Sequence, residues 1–569
     1  MLTFACAAWC ESPKRTNAAH SPEVRGSHGK CCPYSFFRGC IFNPCLYAPS
    51  KIIEPRNVMQ EKTQKLREII TENLRIQRHS ESVEYVDTDS FILDLKAKQN
   101  HTIFARRGCG KTLLMFKSAE ATSDDVRTIY LNCEDFKRHS FPDVLLVILE
   151  SVFLELRQNC TGWFGRKKRL KEILSEVIAD IDEIKKKPDE QSKSVSVEAE
   201  RSKGTGRAGN ASTEFDGLNL GIKSDRSTTA SLRVEQTFQE HQSKLKDLDK
   251  KLPEYKRKIR EFFRISGKVK FVFIQLDDLY HLERVHQAFV VDYVHRLCKD
   301  LPMFFKIATL RHASTLYVDR NGQPFGAQER HDFQPVSIDY DFGNFSKTRR
   351  RNFEILKGFG SQAGMDEEEV SELFKGEGFS RLVMAGGGVP RDVMSLFLEI
   401  LPEATRDGGK IGKDEVRISS RSNFERRIEE LKQDSQDSEQ DGLMKGIYLI
   451  RSFCLDRKTN VFNVSEEVLK KSDQVRGLMY RLLDYRIIHN CGSALTHKSQ
   501  QGTYQAFAID IGCYAHLRKL SGRFNEIDVS DRQAKDKMRS APILTVDWLS
   551  DNVSKLPETG IEEALLNQD

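Results

Sequence analysis

The stretch from His101 to Met115 (His-Thr-Ile-Phe-Ala-Arg-Arg-Gly-Cys-Gly-Lys-Thr-Leu-Leu-Met) constrains this chain more than any other. Its first residues, His101 to Ala105, read as a short buried strand. A turn with two glycines follows, and Lys111-Thr112 open an apolar, helix-forming segment. Strand, glycine-rich turn, lysine plus hydroxyl, and helix form the order of a P-loop. Gly108 and Gly110 carry no Cβ, so the backbone through Arg107, Cys109 and Lys111 can curl and aim its N–H groups at phosphate oxygens. The positive end of the following helix points at the same anion. Lys111 would reach the β- and γ-phosphates of ATP, and the Thr112 hydroxyl would ligate Mg²⁺. The pattern asks for glycine where Ala105 stands, which costs on the order of 1 kcal/mol if that position needs a positive φ. The bland alternative is a chance glycine-rich turn.

A second stretch weighs against chance. Lys270 to Leu282 is an apolar β run that ends in paired carboxylates, Asp277-Asp278, the pattern of a Walker B strand. Asp277 would hold the Mg²⁺ shell, and Asp278 would orient the attacking water. Three further runs complete a parallel α/β set: Val126 to Leu131, Met303 to Leu310, and Pro335 to Asp339. The third of the five in chain order, the Walker B run, is followed by a helix over Gln287 to Lys299. The next run ends in a small polar residue, Thr309, the candidate for the γ-phosphate side. The connections are long enough for right-handed helical crossovers.

The chain has 569 residues, 39% of them hydrophobic and 30% charged, enough for several domains. A formal net charge of +6 is too weak to argue for nucleic acid by itself. No apolar stretch approaches the ~20 residues of a membrane span; Asp143 to Leu156 is cut by Glu150 and Glu155. Cys6, Cys10, Cys31, Cys32, Cys40 and Cys45 crowd the first 58 residues, and the remaining cysteines are scattered singly, as suits a reducing cytoplasm. The crowded six could be a metal knuckle or a disulfide framework, but no Cys-x-x-Cys pair sets ligand spacing. Residues 1–58 read as a disordered leader or an over-extended reading frame, because helical periodicity begins only at Met59.

Two charged helices, Gly165 to Lys187 and Glu235 to Ile265, bracket residues 188–233, where periodicity gives way to Ser, Thr, Gly and charge. They suggest a helical hairpin over 165–265 that projects from the nucleotide domain and offers a surface to a protein partner. A solvated insert of no function reads equally well. Residues 342–400 are helical and contain Gly386-Gly-Gly-Val-Pro-Arg391. Proline at a helix start with arginine just inside it aims a guanidinium back toward a phosphate.

Arg106-Arg-Gly-Cys-Gly-Lys-Thr, Leu276-Asp-Asp, Lys306-Ile-Ala-Thr-Leu-Arg and Gly387-Gly-Val-Pro-Arg together resemble the AAA+ ATPases related to the origin-recognition and Cdc6 initiators (ORC/Cdc6-like), and most closely their STAND-like bacterial relatives. The resemblance spans roughly residues 80–515. It implies an αβα P-loop NTPase core over 59–340, a helical lid over 341–412 and a winged helix over 413–515; residues 516–569 beyond it read as a loosely held tail. It carries sensor 1 to Thr309 and sensor 2 to Arg391, both with catalytic roles beside Asp278. It implies ATP hydrolysis, slow here because Asp278 is one methylene shorter than the usual glutamate, and assembly into a homo-oligomer on ATP binding. Arg311, Arg320 and Arg330 all lie where an arginine finger would fall. In the winged helix, Leu443 to Cys454, a short helix capped by Ser465, and Asp473 to Asp484 are the three helices. Arg486 to Asn490 and Thr503 to Ile509 are strands around the wing, Gly492 to Gly502. The third helix would expose Gln474, Arg476, Tyr480 and Arg481 to phosphates and base edges of duplex DNA. Winged helices also bind protein, or pack on their own ATPase, and these alternatives stay open.

Overall fold

The computed structural model describes residues 55–566 apart from 75–83, 159, 161–164, 188–241, 321–322, 407, 436, 516, 518–523, 555 and 558–559. The leader up to residue 54 and the Ser/Thr/Gly-rich stretch at 188–233 lie outside the described residues. The strands of the nucleotide domain are β1 (His101–Phe104), β2 (Val126–Asn132), β3 (Phe271–Asp277), β4 (Met303–Thr309), a hairpin of β5 (Tyr317–Arg320) and β6 (Gln323–Gly326), and β7 (Gln334–Ser337). Five of them form one parallel sheet in the order β2-β3-β4-β1-β7, so β4 lies between the Walker-type strands β3 and β1. Near-continuous apolar runs suit strands covered on both faces. The β5–β6 hairpin has no counterpart in the sequence reading; Val318 and Phe325 pack it on the helix Arg284–Cys298.

The helices of this domain are α1 (Pro55–Asn73), α2 (Phe91–Leu95), α3 (Lys111–Glu120), α4 (Asp143–Gln158), α5 (Arg166–Lys186), α6 (Gln242–Ser266) and α7 (Arg284–Cys298). One face of the sheet carries α4, α5, α6 and α7 in a single core with Ile274, Leu276 and Phe305. The other face carries α3, with Leu114 and Met115 against Ile103 and Ala308. The charged helices therefore do not project. Leu170, Ile173, Leu174, Val177 and Ile181 of α5 and Leu248, Tyr255 and Phe262 of α6 are buried. The heptad-like spacing of these apolar residues gives each helix one inward face and leaves only the charged face wet. Helix α1 begins at Pro55, inside the expected leader, and buries Leu66 and Ile70 against the lid.

The lid holds α8 (Phe345–Gln362), α9 (Glu367–Glu372), α10 (Gly378–Ala385) and α11 (Pro390–Ala404), followed by α12 (Lys413–Asp434). The C-terminal module then runs α13 (Asp437–Asp456), β8 (Val461–Ser465), α14 (Glu466–Lys471), α15 (Asp473–Asp484), β9 (Ile488–Thr496) and β10 (Thr503–Ile509). Its strands make an antiparallel sheet in the order β8-β10-β9. The strand expected at Arg486 to Asn490 starts at Ile488 and continues to Thr496, so the loop between β9 and β10 is shorter than the expected wing. No described helix is long and apolar enough to cross a membrane.

The tail is not loosely held. Backbone N–H groups of Asn463 and Leu544 bond Pro542 O and Asn463 O, each at 2.8 Å, covering the free edge of β8. Trp548 stands edge-on to Phe453 at 4.9 Å, and Arg381 pairs with Glu526. Polar composition hid this, because the apolar residues are spaced singly: Ile527, Val529, Met538, Leu544 and Leu549 are all buried. Leu549→Ala should cost about 2–5 kcal/mol of stability, read as a lowered urea midpoint. A change within about 0.5 kcal/mol, the surface range, would show that this segment is not packed.

Candidate functional site

The loop between β1 and α3 is shaped by its contact with the lid. Gly108 has φ +88°, and a Cβ there would meet Arg391 Cβ and Val389 Cγ1 at 2.9 Å, so only glycine lets the start of α11 come this close. Arg391 N donates to Gly108 O at 3.3 Å. Gly110 is also left-handed, φ +90°, and turns the chain into α3. Ala105 has no positive φ, so alanine in place of the expected glycine carries no strain. Its N–H bonds Thr309 O at 3.3 Å as a continuation of the β1–β4 ladder.

Lys111 is buried, and its ammonium donates to Ala105 O at 3.1 Å and Arg106 O at 3.4 Å. Thr112 Oγ1 donates to Asp277 Oδ2 at 2.6 Å, and Tyr130 OH donates to the same oxygen at 2.9 Å. The β2–β3 register sets Asn132 opposite Asp277, which puts the ends of both strands at the loop. Burial, and then the neighbouring Asp278 carboxylate, raise Asp277 above the ordinary carboxylate range. Asp278 Oδ1 lies 4.0 Å from Lys111 Nζ. Among the described residues no cluster of three or more His, Cys, Asp or Glu could hold a metal. A hydroxyl and one carboxylate in contact do fit Mg²⁺, which takes one or two protein oxygens and completes its shell with phosphate and water.

A cavity of about 640 Å³ opens over this loop. Lys111, Thr112, Asp278 and Arg391 line it, together with the apolar side chains of Ile70, Leu74, Tyr85, Ile355, Phe359 and Met394. The polar residues suit phosphates and the apolar ones a planar base. Arg391 Nη2 is buried without a hydrogen-bond partner among the described residues, its nearest carboxylate oxygen being that of Glu430 at 3.7 Å. The guanidinium thus lines the cavity with one nitrogen free to donate a hydrogen bond, while Glu430 and Asp392 lie at ion-pair distance. The apolar lining was invisible to sequence reading because it is assembled from α1, the segment at Tyr85, α8 and α11, each carrying one or two of the residues.

Not every expected residue arrives. Thr309 is buried at the end of β4, but its hydroxyl is bonded to Ser314 Oγ at 2.5 Å and does not line the cavity. Arg107 contributes backbone only; its guanidinium binds Asp434 at 2.6 and 2.8 Å. Cys109 buries its thiol, pushed up to about 12 by burial, against Asp339. Arg311 is paired with Glu329 and covers Phe104.

The α15 residues expected to meet nucleic acid are each partnered or half-buried. Arg481 is buried and pairs with Glu439 at 2.5 Å. Arg476 is turned onto Asp473 of its own helix. Tyr480 stacks on His312 at 4.5 Å, and the Oδ2 of Asp484 accepts from His312 N and Ala313 N at 2.8 Å. One face of α15 (Val475, Leu478, Met479, Leu482) fills the module's own core, and Tyr480 and Asp484 in its C-terminal half meet the loop after β4, while Asp473, Gln474, Arg476 and Gly477 are half-buried.

Behind the loop lies a buried ionic cluster that sequence could not assemble. Arg106 donates to both Asp339 oxygens, Nε at 2.7 Å and Nη2 at 2.8 Å, and to Gly387 O at 3.0 Å. Its Nη1 lies 3.5 Å from His489 Nδ1, while His489 Nε2 meets Asp510 at 3.0 Å. Asp392 takes Arg486 at 2.9 Å and Arg427 at 3.2 Å; Arg427 also binds Asp510, and Arg486 binds Glu430. Burial pushes Asp392 up, but Arg486 and Arg427 outweigh it and hold it below the ordinary range.

Sheet and loop have the architecture of the P-loop fold class. No family model matches the chain, and no curated protein does. Among solved structures it is similar to a Walker-type ATPase of Pyrococcus abyssi: 13% identity, 77% of this chain and 97% of that one covered, TM-score 0.33. At that level the likeness carries no functional weight.

Burial holds His489 down at about 4 against an ordinary 6.5. Below pH 6.5 the unfolded chain therefore binds a proton that the folded chain refuses, and stability is lost as pH falls from 6.5 toward 4, by on the order of 3 kcal/mol. In urea unfolding at pH 7.5 and 4.5, the stability gap between the parental chain and His489→Gln should narrow at the lower pH. An equal gap at both values would contradict a neutral, buried His489.

Proposed function

We propose that this chain binds ATP with Mg²⁺ and hydrolyses it slowly, and that the nucleotide governs how the C-terminal module sits on the ATPase core. One observation carries the reading: Lys111, Thr112, which donates to Asp277, and Arg391, whose Nη2 makes no hydrogen bond among the described residues, line one cavity together with apolar side chains. Thr112 and Asp277 would hold the metal, which would neutralise charge on the transferred phosphoryl group. Lys111 would exchange two backbone carbonyls for phosphate oxygens, and Arg391 would supply the lid's cation.

We read the C-terminal module as a winged helix, on its helix–strand–helix–helix–strand–strand order. The finer reading of an ORC/Cdc6-like ATPase contacting duplex DNA through the third helix requires α15 to leave its seat on His312. The docked helix favours the second reading, a STAND-like switch in which ATP releases the module for a partner or for assembly into a homo-oligomer. Salt-dependent duplex binding that appears only with ATP would support the DNA-contacting form.

Lys111→Ala should lower MgATP affinity by two orders of magnitude or more in calorimetric titration, with an unchanged melting curve. Parental affinity in a folded variant would defeat the ATPase reading.

A further inference from the structure

Asp278, to which sequence reading assigns the attacking water, has another engagement. Its carboxylate lies 4.0 Å from the Lys111 ammonium, and its left-handed backbone, φ 49° and ψ 44°, turns the chain sharply just after Asp277. A longer carboxylate lines the same cavity. Glu134 stands two residues beyond Asn132, the end of β2, and Asn132 is registered against Asp277. Neighbouring strands lie about 4.8 Å apart, so the turn Cys133–Phe136 stands beside the metal-holding aspartate at the same end of the sheet. The Asn132 side chain fixes that turn by accepting from Glu134 N at 3.0 Å. Glu134 holds Lys137, a half-exposed lysine of the next turn, at 3.0 Å, and His281 Nε2 of the turn after β3 lies 4.0 Å from its other oxygen.

We propose that Glu134, supported by His281, is the carboxylate that orients and polarises the hydrolytic water. This rests on the ATPase reading above. The water oxygen attacks the γ-phosphorus while the bond from that phosphorus to the β,γ-bridging oxygen breaks. The electron pair leaves on ADP, and one water proton passes to the Glu134 carboxylate and from there to solvent. The hydrogen bond from Lys137 holds Glu134 below the ordinary carboxylate range, so it is ionised at neutral pH. The side chain is 44% exposed, so it can leave Lys137 for a water. It also reaches one carbon–carbon bond further than an aspartate would. Asp278 then serves as the resting counter-ion of Lys111.

The test compares Glu134→Gln, Glu134→Asp and Asp278→Asn in the full chain, measuring MgATP affinity and single-turnover hydrolysis, with Lys111→Ala as the binding control. Glu134→Gln should bind MgATP within about threefold of the parental chain and lose about 10²-fold or more in kcat. Glu134→Asp should recover part of that loss, and Asp278→Asn should lose less than Glu134→Gln. Turnover of Glu134→Gln at the parental rate, or loss confined to Asp278→Asn, overturns the proposal while leaving the ATPase reading intact. A parental chain with no MgATP affinity, or with affinity and no turnover, overturns both.

Discussion

The guanidinium of Arg106 is the tie on which the rest of the molecule depends. It stands in the phosphate loop and donates to a carboxylate after β7, to a lid carbonyl, and toward a histidine of the C-terminal module. Burying a charge is unfavourable unless it is paired, and this one is paired on three sides. Removing one partner of such a group costs about 3–5 kcal/mol, because the other charge is left without compensation. The loop that would cradle phosphates therefore has its shape fixed from behind by polar groups of the nucleotide domain, the lid and the C-terminal module.

This arrangement gives the lid and the module a common fate. Val383, Val393, Ile428, Phe462 and Phe507 belong to one hydrophobic core, and Arg427 of α12 bridges Asp392 of the lid to Asp510 after β10. A lid that tilts toward an anion must carry α12 and the module with it. Arg391 and Asp392 are neighbours on α11, one facing the cavity and the other facing the cluster. On the proposed reading, drawing Arg391 toward phosphate pulls directly on the pairs of Asp392. The effect is reciprocal: whatever moves the module must change affinity for the nucleotide.

The elements that were legible in the sequence are those with a local cause. The parallel strands are continuous apolar runs, the loop carries its glycines and lysine in fixed spacing, and α15 runs over the expected Asp473–Asp484. What was not legible depends on distant partners. Nothing near Arg481 in sequence points to Glu439, and nothing near Arg107 points to Asp434. The apolar period of α15 identified one buried face, and its polar residues were read as open. Arg481 is covered because it pairs with Glu439, and Tyr480 because it stacks on His312 beside the two backbone N–H groups that Asp484 takes from another domain. The tail failed for a related reason: its apolar residues are too sparse for a periodic signal and are buried only by an existing sheet edge.

Magnitudes limit what a nucleotide can do to this docking. A hydrogen bond to a charged group contributes about 1.5–3 kcal/mol, and Asp484 accepts two from the loop after β4. The His312–Tyr480 stack adds about 0.5–1.5 kcal/mol. The Arg106 contact with Gly387 and the bond from Arg486 to Arg107 O hold the same interface. Coupling between two ligand sites is typically about 1–3 kcal/mol, less than this sum. On the proposed reading, ATP alone biases the module without freeing it. Full release requires a second favourable interaction, with duplex DNA, a protein or another copy of the chain. On that reading the docked helix opens fully only where a partner adds to what the nucleotide supplies, because the nucleotide's share is smaller than the docking contacts it must offset.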